Sequence, residues 1–176
     1  YVGFIFGSVK ANPWWSSVLM PIVFLFSAIV SGIAMVLIIY MIVTPVRGKS
    51  LDMVCLDKLA SYLFYVMIID FSLEALDFVH RVYESEESIK ILSYLVSDKL
   101  FISLVVIQLI MGMLIPLAMI AIIKIMKSPA ELKKMIYFIA AILVQIGIFT
   151  TRWNIVVGGQ LFSKSFRGLT VYKMTF

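Results

Sequence analysis

From Trp14 to Val43 no side chain carries a charge. No other feature of the chain restricts its folding so strongly. The run exceeds the roughly 20 apolar residues that carry a helix across a bilayer. Three further runs follow, at residues 56–82, 100–123 and 135–157. Each is long enough to cross, and none alternates with period two, so spanning helices fit and a barrel does not. The composition agrees: 62% hydrophobic, 14% charged and a mean hydropathy of +1.07. A soluble domain is about half apolar and about a quarter charged. The expected class is all-α and integral to a membrane.

The links between runs are short. Thr44-Pro45-Val46-Arg47-Gly48-Lys49 closes the first and Glu84-Ser85-Glu86-Glu87 follows the second. Lys127-Ser128-Pro129 precedes the fourth, with Ser128 placed as an N-cap and Pro129 at the first helical position. Short links make antiparallel neighbours, so residues 1–157 read as an up-down-up-down four-helix bundle and 158–176 as a surface tail that docks a partner. The start at Tyr1 and the end at Met174-Thr175-Phe176 are those expected of part of a longer chain. Pro21 and Pro116 are expected to kink their helices. The pairs Ala28/Gly32 and Ser27/Ser31 are expected to let a neighbouring helix approach.

By the positive-inside rule, the basic links around Arg47/Lys49 and Lys124/Lys127/Lys133/Lys134 are cytoplasmic and the acidic Glu84–Glu87 link is outside. The tail then falls outside with Lys164, Arg167 and Lys173, against the rule. Docking on a partner subunit or on lipid head groups reconciles the two; an inverted orientation is the alternative.

The second run reads YLFYVMIIDFSLEALDFVHRVY. Asp70, Glu74 and Asp77 stand at i, i+4 and i+7 on one face, and His80 and Arg81 lie a turn further on. An aspartate at mid-membrane costs about 2.5–3.5 kcal/mol on insertion scales, so such a stripe faces an interior or a partner. One reading is a proton path through Asp70, Glu74, Asp77 and His80, with Arg152 of the fourth run as counter-ion. The other is structural: Asp77 pairs with Arg81, and Glu74 with Arg152. The single Cys55 excludes an internal disulfide and an iron–sulfur cluster, and the single His80 excludes a bis-histidine haem. No metal site, haem or nucleic-acid partner is expected.

Gln145 and Arg152 are seven apart and share a face of the fourth run. Trp153 marks the membrane interface, with snorkelling of Arg152 beside it as the bland reading. Residues 154–160 are expected to leave the helix, Gly158-Gly159 permitting a sharp turn or a close approach to a ligand. Arg152, Trp153 and Gln160 are candidate contacts for a bound quinone or for a partner.

Two stretches, RWNIVVGGQ at Arg152–Gln160 and NPWWSSVLMPIVFLFSAIVSGIAM at Asn12–Met35, resemble the membrane subunits of the polysulfide reductase family, the NrfD/PsrC-like proteins. The resemblance implies a cofactor-free, multi-pass subunit of the cytoplasmic (inner) membrane, built in full from two four-helix bundles. This chain would be the C-terminal bundle. Such subunits pass electrons between menaquinone or another quinone and an iron–sulfur subunit docked on the outer face, and some move protons. The tail is similar to members in sulfite-reduction and heterodisulfide-reductase-like complexes. Two competing functions stay open: half of an ion or substrate transporter, and a purely structural anchor of a redox complex in which Asp70 and Glu74 are paired and inert.

Overall fold

A computed structural model describes residues 1–9, 12, 14, 15, 17–84, 97, 100–126 and 129–161. The expectations for the Ser85-Glu86-Glu87 link, the Ser128 cap and residues 162–176, with Lys164, Arg167 and Lys173, fall outside these residues. Among these residues five helices appear: α1 (Val2–Gly7), α2 (Met20–Val46), α3 (Met53–Glu84), α4 (Phe101–Ile125) and α5 (Ala130–Leu161). The last four are each long and apolar enough to cross a membrane. Among the described residues there is no strand. In lipid a helix satisfies its backbone groups internally, which is why such apolar runs take this form.

The helix boundaries differ from the sequence reading at three places. The first span starts at Met20 rather than at residue 14, and Pro21 lies in its first turn. A missing N–H costs nothing there, so Pro21 begins the helix and does not kink it. The third span is π-helical over Phe101–Leu114 and α-helical over Ile115–Ile125. The hydrogen-bond ladder therefore changes register immediately before Pro116, a residue that has no N–H to offer either pattern. The fourth span does not end at residue 157. It runs through Gly158 and Gly159 to Leu161, and Gly48 is the one glycine with positive φ among the described residues.

The other ends are built as their residues dictate. Gly48, at φ +69°, closes α2 as Lys49 N–H donates to Thr44 O at 3.1 Å and Gly48 N–H to Pro45 O at 2.9 Å. That is the double bond pattern of a glycine-terminated helix. Asp52 caps α3, its Oδ1 accepting from Val54 N–H at 2.9 Å.

α2 packs on α3 and α5, α4 runs along α5, and the α-helical half of α4 meets α3. The main core lies toward the basic links. Leu37, Leu56, Leu63, Ile120, Tyr137 and Val144 belong to it. At that end Asp57 of α3 accepts from Tyr137 OH at 2.9 Å and pairs with Lys133 at 3.1 Å, tying α3 to α5.

The close approach of helices falls at a place the sequence reading did not mark. A Cβ on Gly147 of α5 would lie 2.5 Å from Gly112 Cα of α4, so the two backbones touch there. Nothing lies within 4 Å of the corresponding position on Gly32, and Ala28 is exposed. The Ala28/Gly32 pair therefore mediates no contact among the described residues. Its face points away from the bundle, because the buried face of α2 is set by Val23, Ser27, Val30, Ala34 and Leu37.

Candidate functional site

Above the Gly112–Gly147 crossing, α3 and the π-helical part of α4 diverge and leave a cavity of about 400 Å³. It lies in the half of the bundle away from the basic links. Its walls are largely apolar, with Phe71 and Phe78 from α3, Leu104, Val105 and Leu109 from α4, and Ile155 from α5. One side is polar. Gln108 Nε2 donates to Glu74 Oε2 at 3.2 Å, and Asn154 Nδ2 donates to Gln108 Oε1 at 2.9 Å. Three helices thus contribute one group each to a continuous chain. Asn154 is 1% exposed and its Oδ1 has no hydrogen-bond partner among the described residues. An unpaired buried acceptor costs about 1–3 kcal/mol.

The acidic stripe of α3 faces inward. Asp70 is fully buried, and neither of its oxygens has a hydrogen-bond partner among the described residues. Glu74 and Asp77 line the cavity, and the Ser17 hydroxyl donates to Asp77 Oδ1. His80 is half-buried a turn beyond. The side chain of Arg81, the sequence-based partner for Asp77, lies outside those described.

Arg152 does not join the stripe. It is exposed, and among the described residues no ion pair links it to Glu74. Helical geometry gives the reason: Asn154 faces the cavity, and two residues earlier the side chain points roughly 200° away around the axis. Trp153 is also exposed, its ring stacked on Phe149 at 6.3 Å, and Gln160 is exposed. None of the three lines the cavity. Gln145, on the face expected of it, instead donates to Ser31 O at 2.6 Å, tying α5 to α2.

Gln108, Asn154, Ser17 and Trp14 were not picked out from the sequence. The uncharged run at 100–123 was read for its length, and its one glutamine was passed over. A polar residue alone in an apolar span was the available signal.

The segment before α2 crosses the end of α5. Asn12 Nδ2 donates to Gly159 O at 2.7 Å, Trp14 Nε1 to Asn154 O at 3.1 Å, and Trp15 Nε1 to Ile155 O at 2.7 Å. Gly158 and Gly159 make room for the indoles. A Cβ on Gly158 would lie 2.6 Å from Trp14 Nε1, and one on Gly159 would run into the Trp15 ring. The double glycine serves a close approach, but of tryptophans rather than through a turn. Gly159→Ala is expected to destabilise the protein by about 1–2 kcal/mol, because displacing the indole outweighs the roughly 1 kcal/mol gained in helix propensity. The thermal midpoint checks this. In a Trp15→Ala background the same substitution should be neutral or stabilising, and equal loss in both backgrounds would refute the contact.

Four membrane-length helices, which with the segment before α2 line a polar-sided apolar cavity, define a multi-pass membrane bundle. The family model described as polysulphide reductase, NrfD, matches residues 1–164, and the chain belongs to that family. It is also 31% identical over 159 residues to a selenate reductase subunit of Mesobacillus selenatarsenatis. That match covers 88% of this chain and 34% of the relative, so the chain spans about a third of the relative's length. No solved structure matches. The two stretches that carried the resemblance, Asn12–Met35 and Arg152–Gln160, are held to each other by the indole and asparagine contacts just described.

Proposed function

We propose that this chain is a membrane subunit of a respiratory oxidoreductase complex of the cytoplasmic membrane, and that its cavity takes the head group of menaquinol or another quinone. Electrons would pass between that ligand and an iron–sulfur subunit docked on the outer face. Family membership supports the class, as does likeness to a protein named as one subunit of a selenate reductase. The observation that carries the quinone reading is the Glu74–Gln108–Asn154 chain on the wall of an apolar cavity. A quinone needs apolar surface for its ring and tail and a few hydrogen-bonding groups for its oxygens. The Glu74 carboxylate can accept from a hydroquinone hydroxyl, and the amide N–H groups of Gln108 and Asn154 can donate to a quinone carbonyl.

When bound, a hydroquinone supplies two electrons and two protons on oxidation. The Glu74 carboxylate stands where it can accept a proton from a hydroxyl in the cavity, and Gln108 fixes its orientation. Asp70 is one turn deeper; Asp77 and His80 lead along the same face toward the end of α3. The reading assigns them proton exchange with one aqueous side. The purely structural alternative required Asp70 to be paired, and its two unpartnered oxygens favour the functional reading.

Photolabelling tests the assignment. In the purified complex an azido-naphthoquinone is expected to label residues 71–79 of α3 or 104–109 of α4, with protection by unlabelled menaquinone. Labelling confined to other segments, or unaffected by menaquinone, would refute it.

A further inference from the structure

Lys124 is the penultimate residue of α4, at the end of the bundle that carries the basic links. A helical side chain leans toward the N-terminus of its helix, which for α4 means toward the membrane interior. Lys124 Nζ accordingly lies against α3, 4.8 Å from the centroid of the Phe64 ring and 4.6 Å from that of Tyr65. The two rings stand edge to face at 5.6 Å and 69°, so both bear on the ammonium. They lie roughly 17 Å along α3 from its start at Met53. Rings attract a cation, but they bring no negative charge and leave three N–H donors to be met. Among the described residues Lys124 meets no carboxylate. Its neighbours at this end differ: Lys133 is neutralised by Asp57 and Lys134 by Glu131.

The surface beside Lys124 continues the pattern. Lys58, Tyr62 and Tyr65 stand at i, i+4 and i+7 of α3, share one face and are all exposed. Among the described residues neither phenol is hydrogen-bonded and Lys58 has no carboxylate partner. Because α3 begins at this end, Lys58 leans toward the water, opposite to Lys124. The two cations thus bracket two phenols along about 10 Å of helix. One turn deeper on the same face, Ile68 and Ile69 are exposed and apolar.

We infer that this face of α3 and α4 holds an acidic phospholipid, with its phosphodiester between Lys124 and Lys58. The phosphate oxygens accept from the ammonium groups and from the Tyr62 and Tyr65 hydroxyls, and the acyl chains run over Ile68 and Ile69. A face with two unneutralised cations discriminates against a choline head group, which brings a third. The bound lipid bridges α3, the helix of the acidic stripe, to α4. The inference is independent of the quinone reading, since the face shares no residue with the cavity wall.

The test is a titration of the purified complex in nonionic detergent with dioleoyl phosphatidylglycerol, dioleoyl phosphatidylcholine or inorganic phosphate, read as the thermal midpoint. Phosphatidylglycerol should stabilise the wild type at lower concentration than phosphatidylcholine, and inorganic phosphate should not substitute for it. Lys124→Gln should weaken the apparent affinity for phosphatidylglycerol by about fivefold, the worth of one cation near an anionic lipid. Lys58→Gln should do the same, and it replaces Lys124→Gln if that variant does not assemble. Lys124→Arg should restore the affinity. Lys49→Gln, at an exposed cation in the link between α2 and α3, should leave it unchanged. Equal losses in Lys49→Gln and Lys124→Gln reveal general charge attraction and overturn the site. An equal response to the two lipids overturns it as well. A response to inorganic phosphate matching that to phosphatidylglycerol marks a site for soluble anions and refutes the lipid. Carbodiimide coupling of Lys124 to a carboxylate of another subunit does so too, because a protein then covers the face.

Discussion

Gly147→Val is expected to prevent assembly of the complex, the largest structural effect of any single substitution proposed for this chain. A Cβ at this position meets Gly112 Cα at 2.5 Å and the Gly112 carbonyl carbon and oxygen at 2.9 Å. Carbon atoms rest at about 3.5–4.0 Å, so α4 and α5 would have to part by roughly 1 Å or more. Neither neighbour is a side chain that can swing aside. The helix-propensity gain over glycine is below about 1 kcal/mol, whereas overpacking costs about 1–3 kcal/mol and more where backbone must move. Size-exclusion yield and the thermal midpoint measure the outcome. Gly32→Ala is the control, since nothing lies within 4 Å of a Cβ there. If Gly147→Val assembles with the midpoint of the wild type, the crossing is wrongly placed.

Glu74→Gln is expected to lower quinol-linked turnover by about 100-fold, the scale of a lost general acid–base group, while the complex still assembles. Glutamine keeps the shape of glutamate and can still meet the Gln108 amide, so packing is preserved and the titratable proton is lost. Asp70→Asn should give a smaller loss of the same kind, because Asp70 does not line the cavity. Steady-state turnover with a naphthohydroquinone, measured across pH, decides the matter. If Glu74→Gln and Asp70→Asn both assemble and turn over as the wild type does at every pH, the acidic stripe is structural. A membrane anchor for soluble redox subunits then becomes the better account.

The fold was the more legible part of this protein. Long apolar runs announce spanning helices because lipid leaves the backbone few alternatives. The inward turn of Asp70, Glu74 and Asp77 was equally readable, since three carboxylates at helical spacing cannot all face hydrocarbon. Boundaries were harder to read. Pro21 reads as a kink if the helix starts at Trp14 and as a first-turn residue if it starts at Met20, and only packing of the preceding segment on α5 separates the two. Gly158-Gly159 reads as a turn in isolation because glycine permits one. The helix persists because the indoles of Trp14 and Trp15, remote in sequence, fill the glycine surface.

The site divides in the same way. The sequence by itself determined the membrane class, the four spans, the buried acidic face and the two stretches that mark the family. Each follows from local composition or from helical period, which act over a few turns of chain. Only the tertiary structure decided that Glu74 meets Gln108 rather than Arg152, that Asn154 completes the chain, and that the cavity lies above a glycine crossing. Those outcomes depend on how far each helix is rotated about its own axis. A difference of two residues on α5 turns Arg152 away from the cavity and Asn154 into it. That rotation is set by which small residues let backbones touch, and Gly112 and Gly147 reveal themselves only when both helices are present.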